Sequence, residues 1–306
     1  MDKERYMDML RLPMGRLLER ANNVREKGTG KEIELCGIVN AKSGACPENC
    51  KFCAQSAHHP TGVVEYPLKG KDAIIDSAMR AYRNGARRFG IVTSGNRLTA
   101  DEIGSIAGAV AEIKKTAGIE LCASLGALDD RAFSMLRSAG LTRYHHNIET
   151  SERFYPYIVS SHPFSERLNT IKAAKNAGLE VCSGGIIGMG ETWEDRIEMA
   201  LLLKELDVES VPINVLVPVK GTPLENIKSI PPMDAIRTIA LFRIILVDKT
   251  IKVAAGRESA LKDYNMLIYM AGANGMMIGG YLTVAGRPVE EDIELIEEVK
   301  RLWETG

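Results

Sequence analysis

The sequence predicts an α/β fold, a complete (βα)8 TIM barrel with an N-terminal helical cap, and three observations lead there. Amphipathic stretches alternate with short apolar, β-branched runs along most of the chain. Four of the junctions between them carry a glycine: Gly85, Gly118, Gly140 and Gly178. The alternation lasts for about the 250 residues that such a barrel needs. A doubly wound open sheet is the alternative arrangement of the same elements.

Residues 1–32 read as a charged, helical N-terminal extension without the apolar stretch and cleavage site of a secretory signal. A first strand follows at Ile33–Val39. KDAIIDSAMRAYRN and DEIGSIAGAVAEIKKT then place apolar residues three and four apart over more than ten positions, which is a helical pattern. In NGARRFGIVTSG, AGIELCASLG, AGLTRYHHNIETS and AGLEVCSGGIIGMG the glycine marks a helix end, and the apolar run after it marks a buried strand. Strands at Glu209–Leu216, Lys252–Ala255 and Gly275–Gly279 bring the count to eight, so the barrel spans residues 33–286. EDIELIEEVKRLWE has clean helical periodicity and forms a closing helix within residues 287–306. No low-complexity or Pro/Ser-rich linker divides the chain further.

Composition narrows the function. With 39 Lys and Arg against 40 Asp and Glu, the net charge of −1 supplies no basic field for a nucleic-acid backbone. A 45% hydrophobic content excludes intrinsic disorder. The least polar stretch, Tyr269–Gly286, is broken by Gly, Ala and Asn and reads as barrel interior, so no membrane partner is expected. Six cysteines in a chain expected in the cytoplasm read as metal ligands or core residues rather than disulfides.

In a barrel, chemistry gathers where strands end and βα loops begin. Directly after the first strand, GACPENCKFCAQS sets Cys46, Cys50 and Cys53 in a C-x3-C-x2-C array. Zinc asks for four protein ligands, or three and a water, and His58 and His59 stand near enough to be considered. A four-iron cluster held by three cysteines instead leaves one iron open to a small molecule. Both readings suit the spacing.

A second set of thiols comes from strand positions. Cys122 and Cys182 each lie four residues past a helix-ending glycine, hence at equivalent heights on the third and fifth strands, and Cys36 lies mid-way along the first. Alternate strands fill a common interior layer, so the three thiols can meet, with Arg257 at the end of the seventh strand beside them. A buried arginine needs an anionic partner, which a thiolate-bound cluster provides. Taken singly, each cysteine reads as a small buried hydrophobe.

GGIIGMGE carries G-x-I-x-G-x-x-E from Gly184 to Glu191, where glycines let a flat ligand approach and Ile186 offers an apolar face; a plain turn is the other reading. In YHHNIETS, Asn147 and Glu149 alternate with Ile148 and share one face, unless the segment is a helix start capped at Thr150 or Ser151.

The cysteine triad with Phe52 before its last member resembles the radical S-adenosylmethionine enzymes. Together with YHHNIETS, CSGGIIGMGET, VPINVLVPVKGTPL and AAGRE in order and spacing, the chain from about residue 32 to 286 resembles the biotin synthases. The resemblance implies a 4Fe-4S cluster on Cys46, Cys50 and Cys53, whose open iron chelates the amino and carboxyl groups of S-adenosyl-L-methionine. It implies that Ser94 lies near that amino group and that Asn147 and Glu149 hold the ribose and methionyl part. Gly184, Ile186 and Gly188 would contact the adenine, and Phe52 and Val217 would complete the cofactor site. It implies dethiobiotin as substrate, with Asn214 on its ureido group, Thr283 on its carboxylate and His145 beside it. Two positions depart from the pattern: His145 stands where Asn is common, and Val284 where a second Thr is common.

Biotin synthases also hold an auxiliary iron-sulfur cluster inside the barrel, the source of the inserted sulfur. Cys122, Cys182 and Arg257 match three of its ligands by resemblance, while the usual second-strand cysteine falls at Gly90. Cys36, where the pattern has a serine, is expected to replace it, holding either a 2Fe-2S cluster or a four-iron variant with an extra sulfide. The implied reaction cleaves the cofactor to a 5'-deoxyadenosyl radical, which abstracts hydrogen from dethiobiotin and lets cluster sulfide close the ring. The resemblance further implies an electron donor such as flavodoxin or ferredoxin, and a homodimer. A radical S-adenosylmethionine mutase or maturase without sulfur transfer, like methylornithine synthase, is the alternative, and it has no need of Cys36, Cys122 and Cys182.

Overall fold

The computed structural model describes residues 2–283 and 286–304, which leaves Val284 outside. Two helices, α1 (Asp2–Met9) and α2 (Met14–Thr29), come first. Strands and helices then alternate: β1 (Glu34–Lys42), α3 (Lys71–Arg83), β2 (Arg88–Thr93), α4 (Ala100–Thr116), β3 (Glu120–Ser124), α5 (Asp130–Ala139), β4 (Arg143–His145) and α6 (Phe164–Asn176). Next come β5 (Glu180–Cys182), β6 (Gly185–Ile187), α7 (Trp193–Glu205), β7 (Ser210–Val215), α8 (Pro232–Leu246) and β8 (Thr250–Val253). The short helices α9 (Arg257–Leu261) and α10 (Leu267–Met270), then β9 (Gly275–Met277) and α11 (Val289–Glu304), complete the chain.

All pairings between these strands are parallel, and the ladder closes on itself through β1–β9 and β5–β7. The barrel has eight staves, as the sequence predicts, because β5 and β6 are two halves of the fifth. The break falls at Ser183 and Gly184, where a Cβ on Gly184 would stand 1.9 Å from the Pro212 carbonyl oxygen. Gly184 is therefore dictated by the neighbouring strand, whatever approaches from the barrel.

Local chemistry sets the helix ends. Thr99 and Glu102 cap α4 reciprocally, at 3.2 and 2.9 Å, and Asp129 accepts from the Ala132 amide at 2.8 Å to start α5. Gly140 follows α5 in the left-handed conformation, φ 111°. Gly118 differs from the expectation, because α4 ends on an extended Ala117 with no left-handed residue. Outward strand residues such as Phe89, Leu121, Val211 and Ile251 join Ile74, Val110, Phe133 and Ile239 of the helices in one core.

The inward face is unlike the branched apolar layers that usually fill such barrels. Inward positions alternate along each strand, and the register steps up around the wall as strand tilt requires: Cys36 pairs with Arg88, Gly90 with Cys122, Cys122 with Arg143, and His145 with Cys182. Thiols and charges occupy this interior.

Arg257 does not join them, contrary to the sequence reading. β8 runs Thr250–Val253 rather than Lys252–Ala255, and Gly256, at φ 84°, turns the chain into α9. The guanidinium of Arg257 instead donates to Asp292 of α11 at 2.7 and 2.8 Å and to the Tyr281 hydroxyl at 3.1 Å. The inward cation of β8 is Lys252, whose ammonium reaches Cys36.

Both Arg257 and Asp292 are fully buried. Asp292→Ala strands the guanidinium and is expected to cost about 3–5 kcal/mol in urea unfolding of the metal-free protein. A loss below about 1 kcal/mol would show that Tyr281 and Glu258 suffice as its partners.

Candidate active site

The three-cysteine loop leaves the end of β1 and is tied down by its own backbone and by the loop after β4. Cys46 donates its amide to Gln55 at 3.0 Å and its carbonyl accepts from Ala57 at 2.8 Å. The side-chain oxygen of Asn49 accepts from the amides of Ser160 and Ser161 at 3.0 Å each, and Glu48 meets His162 at 2.5 Å. His58 and His59 each commit one ring nitrogen, Nε2 and Nδ1, to the carbonyl oxygens of Pro47 and Cys53, at 2.9 and 3.0 Å. The three thiols lie near enough to act on one another's charge. Burial pushes Cys50 up to about 12 and Cys53 up to about 11, so these sulfurs give up their protons only to a cationic centre. Phe52 packs half-buried against the core beside them.

Beside this loop a cleft of about 230 Å³ opens between Lys42, Ala45, Pro47 and the turn at Ser94. Among the described residues the buried Ser94 hydroxyl has no hydrogen-bond partner, so it is a polar group to which a ligand can bond. Across the mouth, Asn147 accepts from the Gly184 amide at 3.1 Å and donates to Glu149 at 3.4 Å. Glu149 sits at φ 69°, rare for a residue with a side chain, and pairs with Arg167 at 3.7 Å. Arg167 also donates to the Asn147 carbonyl at 2.9 Å. Ser151 accepts from the Phe154 amide at 3.1 Å within a turn, but no helix starts at Thr150 or Ser151; the next helical element is the single 3₁₀ turn Tyr155–Tyr157, which has no side-chain cap. The turn of Gly188 is held by Glu191, whose carboxylate accepts from the amides of Gly188 and Met189 at 2.8 Å and from Arg196 at 2.7 Å. Ile186 and Val217 are half-buried.

Asn214 is less free than its sequence position suggests. It donates to the Gly185 carbonyl at 3.2 Å and accepts from the Ala255 amide at 3.1 Å, bridging two strand ends. Thr283 is exposed at the edge of the described residues.

Deeper in the barrel, Cys36, Cys122 and Cys182 act on one another's charge and on Lys252, whose ammonium donates to Cys36 at 2.9 Å. Gly90 keeps the wall thin here, since a Cβ would stand 3.2 Å from the Cys122 sulfur. Below lies a charged floor. Arg143 reaches Glu34 at 3.1 Å and Glu180 at 2.8 Å, Arg88 reaches both at 3.5 Å, and Lys252 pairs with Glu34. Burial pushes Cys122 up to about 12, whereas for Cys182 the same burial is outweighed by His145, Lys252 and Arg143, which bring it to about 6. Among the described residues no three His, Cys, Asp or Glu side chains close on a single shared ion. A multi-iron cluster takes its thiolates at different metal atoms, so spread thiols suit it. Both cysteine sets fit such clusters by donor chemistry.

Two sequence profiles match the chain: the radical SAM superfamily over residues 41–203, and the Biotin and Thiamin Synthesis associated domain over 212–300. The biotin synthase of Thermotoga neapolitana is 52% identical over 271 residues, covering 88% of this chain and 97% of its own. That of Thermotoga petrophila is 48% identical, covering 96% and 98%. The chain belongs to the biotin synthase family. Methylornithine synthase superposes with a TM-score of 0.83 at 19% identity, covering 99% of this chain and 96% of its own, and shares the fold. Membership makes the chain a radical S-adenosylmethionine sulfurtransferase with a 4Fe-4S cluster, a small-molecule substrate and an electron donor. No described helix is long and apolar enough to cross a membrane.

Sequence reasoning missed the floor. Glu34, two residues before Cys36, and Lys252, a lone charge in the strand IKVA, were its only signals. Burial raises the carboxyl of Glu34, but Lys252, Arg143 and Arg88 together hold it down at about 2, against an ordinary 4.5. Stability from Glu34 is therefore fully present above about pH 5 and is lost as pH falls through 2. Glu34→Gln is expected to lower stability of the metal-free protein by about 2–3 kcal/mol at pH 7 and to flatten its fall between about pH 5 and 2. An unchanged pH profile by urea titration would contradict the assignment of the floor's charge to this residue.

Proposed function

We propose that this biotin synthase family member inserts sulfur into dethiobiotin, drawing it from an auxiliary iron-sulfur cluster held by Cys36, Cys122 and Cys182. The observation that carries the reading is the meeting of those three thiols inside the barrel, below a mouth lined by the C-x3-C-x2-C loop. When bound, the three-cysteine cluster and S-adenosyl-L-methionine supply the hydrogen-abstracting radical, and the auxiliary cluster supplies sulfide.

The chain's own residues do the rest. Cys46, Cys50 and Cys53 hold the first cluster on the rim. Asn147, fixed by the Gly184 amide, and Glu149, fixed by Arg167, present oxygens to the ribose and methionyl part of the cofactor. Ser94 offers an unspent hydroxyl near its amino group. Gly184, Gly188, Ile186, Phe52 and Val217 form the apolar side toward the adenine. Asn214 and Thr283 orient dethiobiotin on the ureido and carboxylate sides, and the closed wall excludes water and fixes the distance between radical, substrate and sulfur. Arg257 is left out of this set and tethers α11. Flavodoxin or ferredoxin is the proposed electron donor, a homodimer the proposed assembly, and the reducing cytoplasm the setting that suits six unpaired thiols.

Isotope tracing tests this reading. Protein reconstituted anaerobically with ³⁴S-sulfide and given dethiobiotin, cofactor and reductant is expected to yield biotin carrying the heavy sulfur in its first turnover. Cys36→Ala is expected to lose auxiliary iron and to reduce biotin formation more than tenfold while still producing 5'-deoxyadenosine. Unlabelled biotin would remove the cluster as sulfur source, and full auxiliary iron in Cys36→Ala would remove Cys36 as its ligand. Cofactor cleavage without any sulfur transfer would point to mutase or maturase chemistry.

A further inference from the structure

We infer that His145 is the fourth protein ligand of the auxiliary cluster, an imidazole completing the set of Cys36, Cys122 and Cys182. The inference rests on the reading that those thiols hold a cluster. Four staves contribute the arrangement. β1, β3 and β5 each supply one thiol, and β2 supplies nothing, since its position in that ring is Gly90. β4 stands between the two staves that carry Cys122 and Cys182, and His145 is its inward residue above Arg143. The parallel ladder pairs His145 with Cys182 in register, so both side chains leave the same face of the sheet. His145 acts on the charge of Cys182 from this position. Its place is thus on the ring of thiols itself, below Asn147 and Glu149, which follow it on the same face toward the mouth.

The other nitrogens nearby are already spent. Lys252 uses its ammonium as a donor to Cys36 at 2.9 Å and to Glu34, so it has no lone pair to offer iron. Arg143 and Arg88 are held by Glu34 and Glu180 on the floor, and Arg257 by Asp292. Imidazole is the remaining side chain with a ring nitrogen that can bind iron, and histidine in place of cysteine on one iron raises a cluster's reduction potential, because a thiolate charge is lost from the ligand set.

Pulsed EPR gives a readout independent of turnover. Full-length protein with Cys46, Cys50 and Cys53 all changed to Ala, reconstituted and reduced, isolates the interior cluster. With ¹⁵N-histidine incorporated, a strongly coupled ¹⁵N is expected, and His145→Asn is expected to abolish it. His145→Cys is expected to keep the iron, lose the nitrogen coupling and move the midpoint potential down. A cluster with full iron, no coupled histidine nitrogen and a potential unmoved in His145→Cys would overturn the inference and leave the sulfur-insertion reading intact. An absence of any interior cluster would overturn both.

Discussion

Everything inside this barrel depends on one electrostatic constraint: thiolates can gather in a closed, water-poor wall only if cations are built in beside them. An isolated buried thiol keeps its proton, as Cys122 does when burial pushes it up to about 12. Lys252 faces all three interior cysteines, and Arg143 and Arg88 stand beneath. These cations are themselves buried and need anions, which Glu34 and Glu180 supply. Lys252, which faces the thiols directly, has the sign that a negatively charged set of thiolates requires.

The mouth obeys a different constraint, that of crowding. Where the fifth stave breaks, Pro212 leaves no room for a side chain at Gly184, and a Cβ on Gly185 would likewise stand 2.3 Å from the Glu149 carbonyl oxygen. The freed amide of Gly184 then binds Asn147, and Glu149 is turned into a left-handed conformation over the break. Strain of this kind is held where the surroundings over-determine it. The break in the strand thus positions the polar groups at the mouth, while the continuous staves position the thiols below.

Periodicity and glycine punctuation made the eight staves and most helices legible in the sequence, because each depends on local pattern alone. The interior cysteines were legible for the same reason: equal offsets from Gly118 and Gly178 place Cys122 and Cys182 at equal heights in any barrel. Arg257 sits in a motif that invites an inward role, whereas the turn at Gly256 carries it off β8 into α9, where it pairs with Asp292. The floor stayed hidden since it joins Glu34, Arg88, Arg143, Glu180 and Lys252 from five staves, and single charges in short strands carry no pattern. His145, expected beside the substrate from its motif, pairs in register with Cys182, a neighbour that the sequence alone does not announce. Asn214 likewise spends its amide on neighbouring backbone, a partner that no spacing rule announces.

The claim that the interior thiols hold a cluster of their own is tested most directly by Mössbauer spectroscopy with iron and sulfide analysis. The sample is the anaerobically reconstituted protein in which Cys46, Cys50 and Cys53 are all Ala. The account predicts a remaining iron-sulfur spectrum, whose quadrupole doublets and iron count distinguish two irons from four. Iron-free protein would contradict it, leaving Cys36, Cys122 and Cys182 as packing residues over a charged floor.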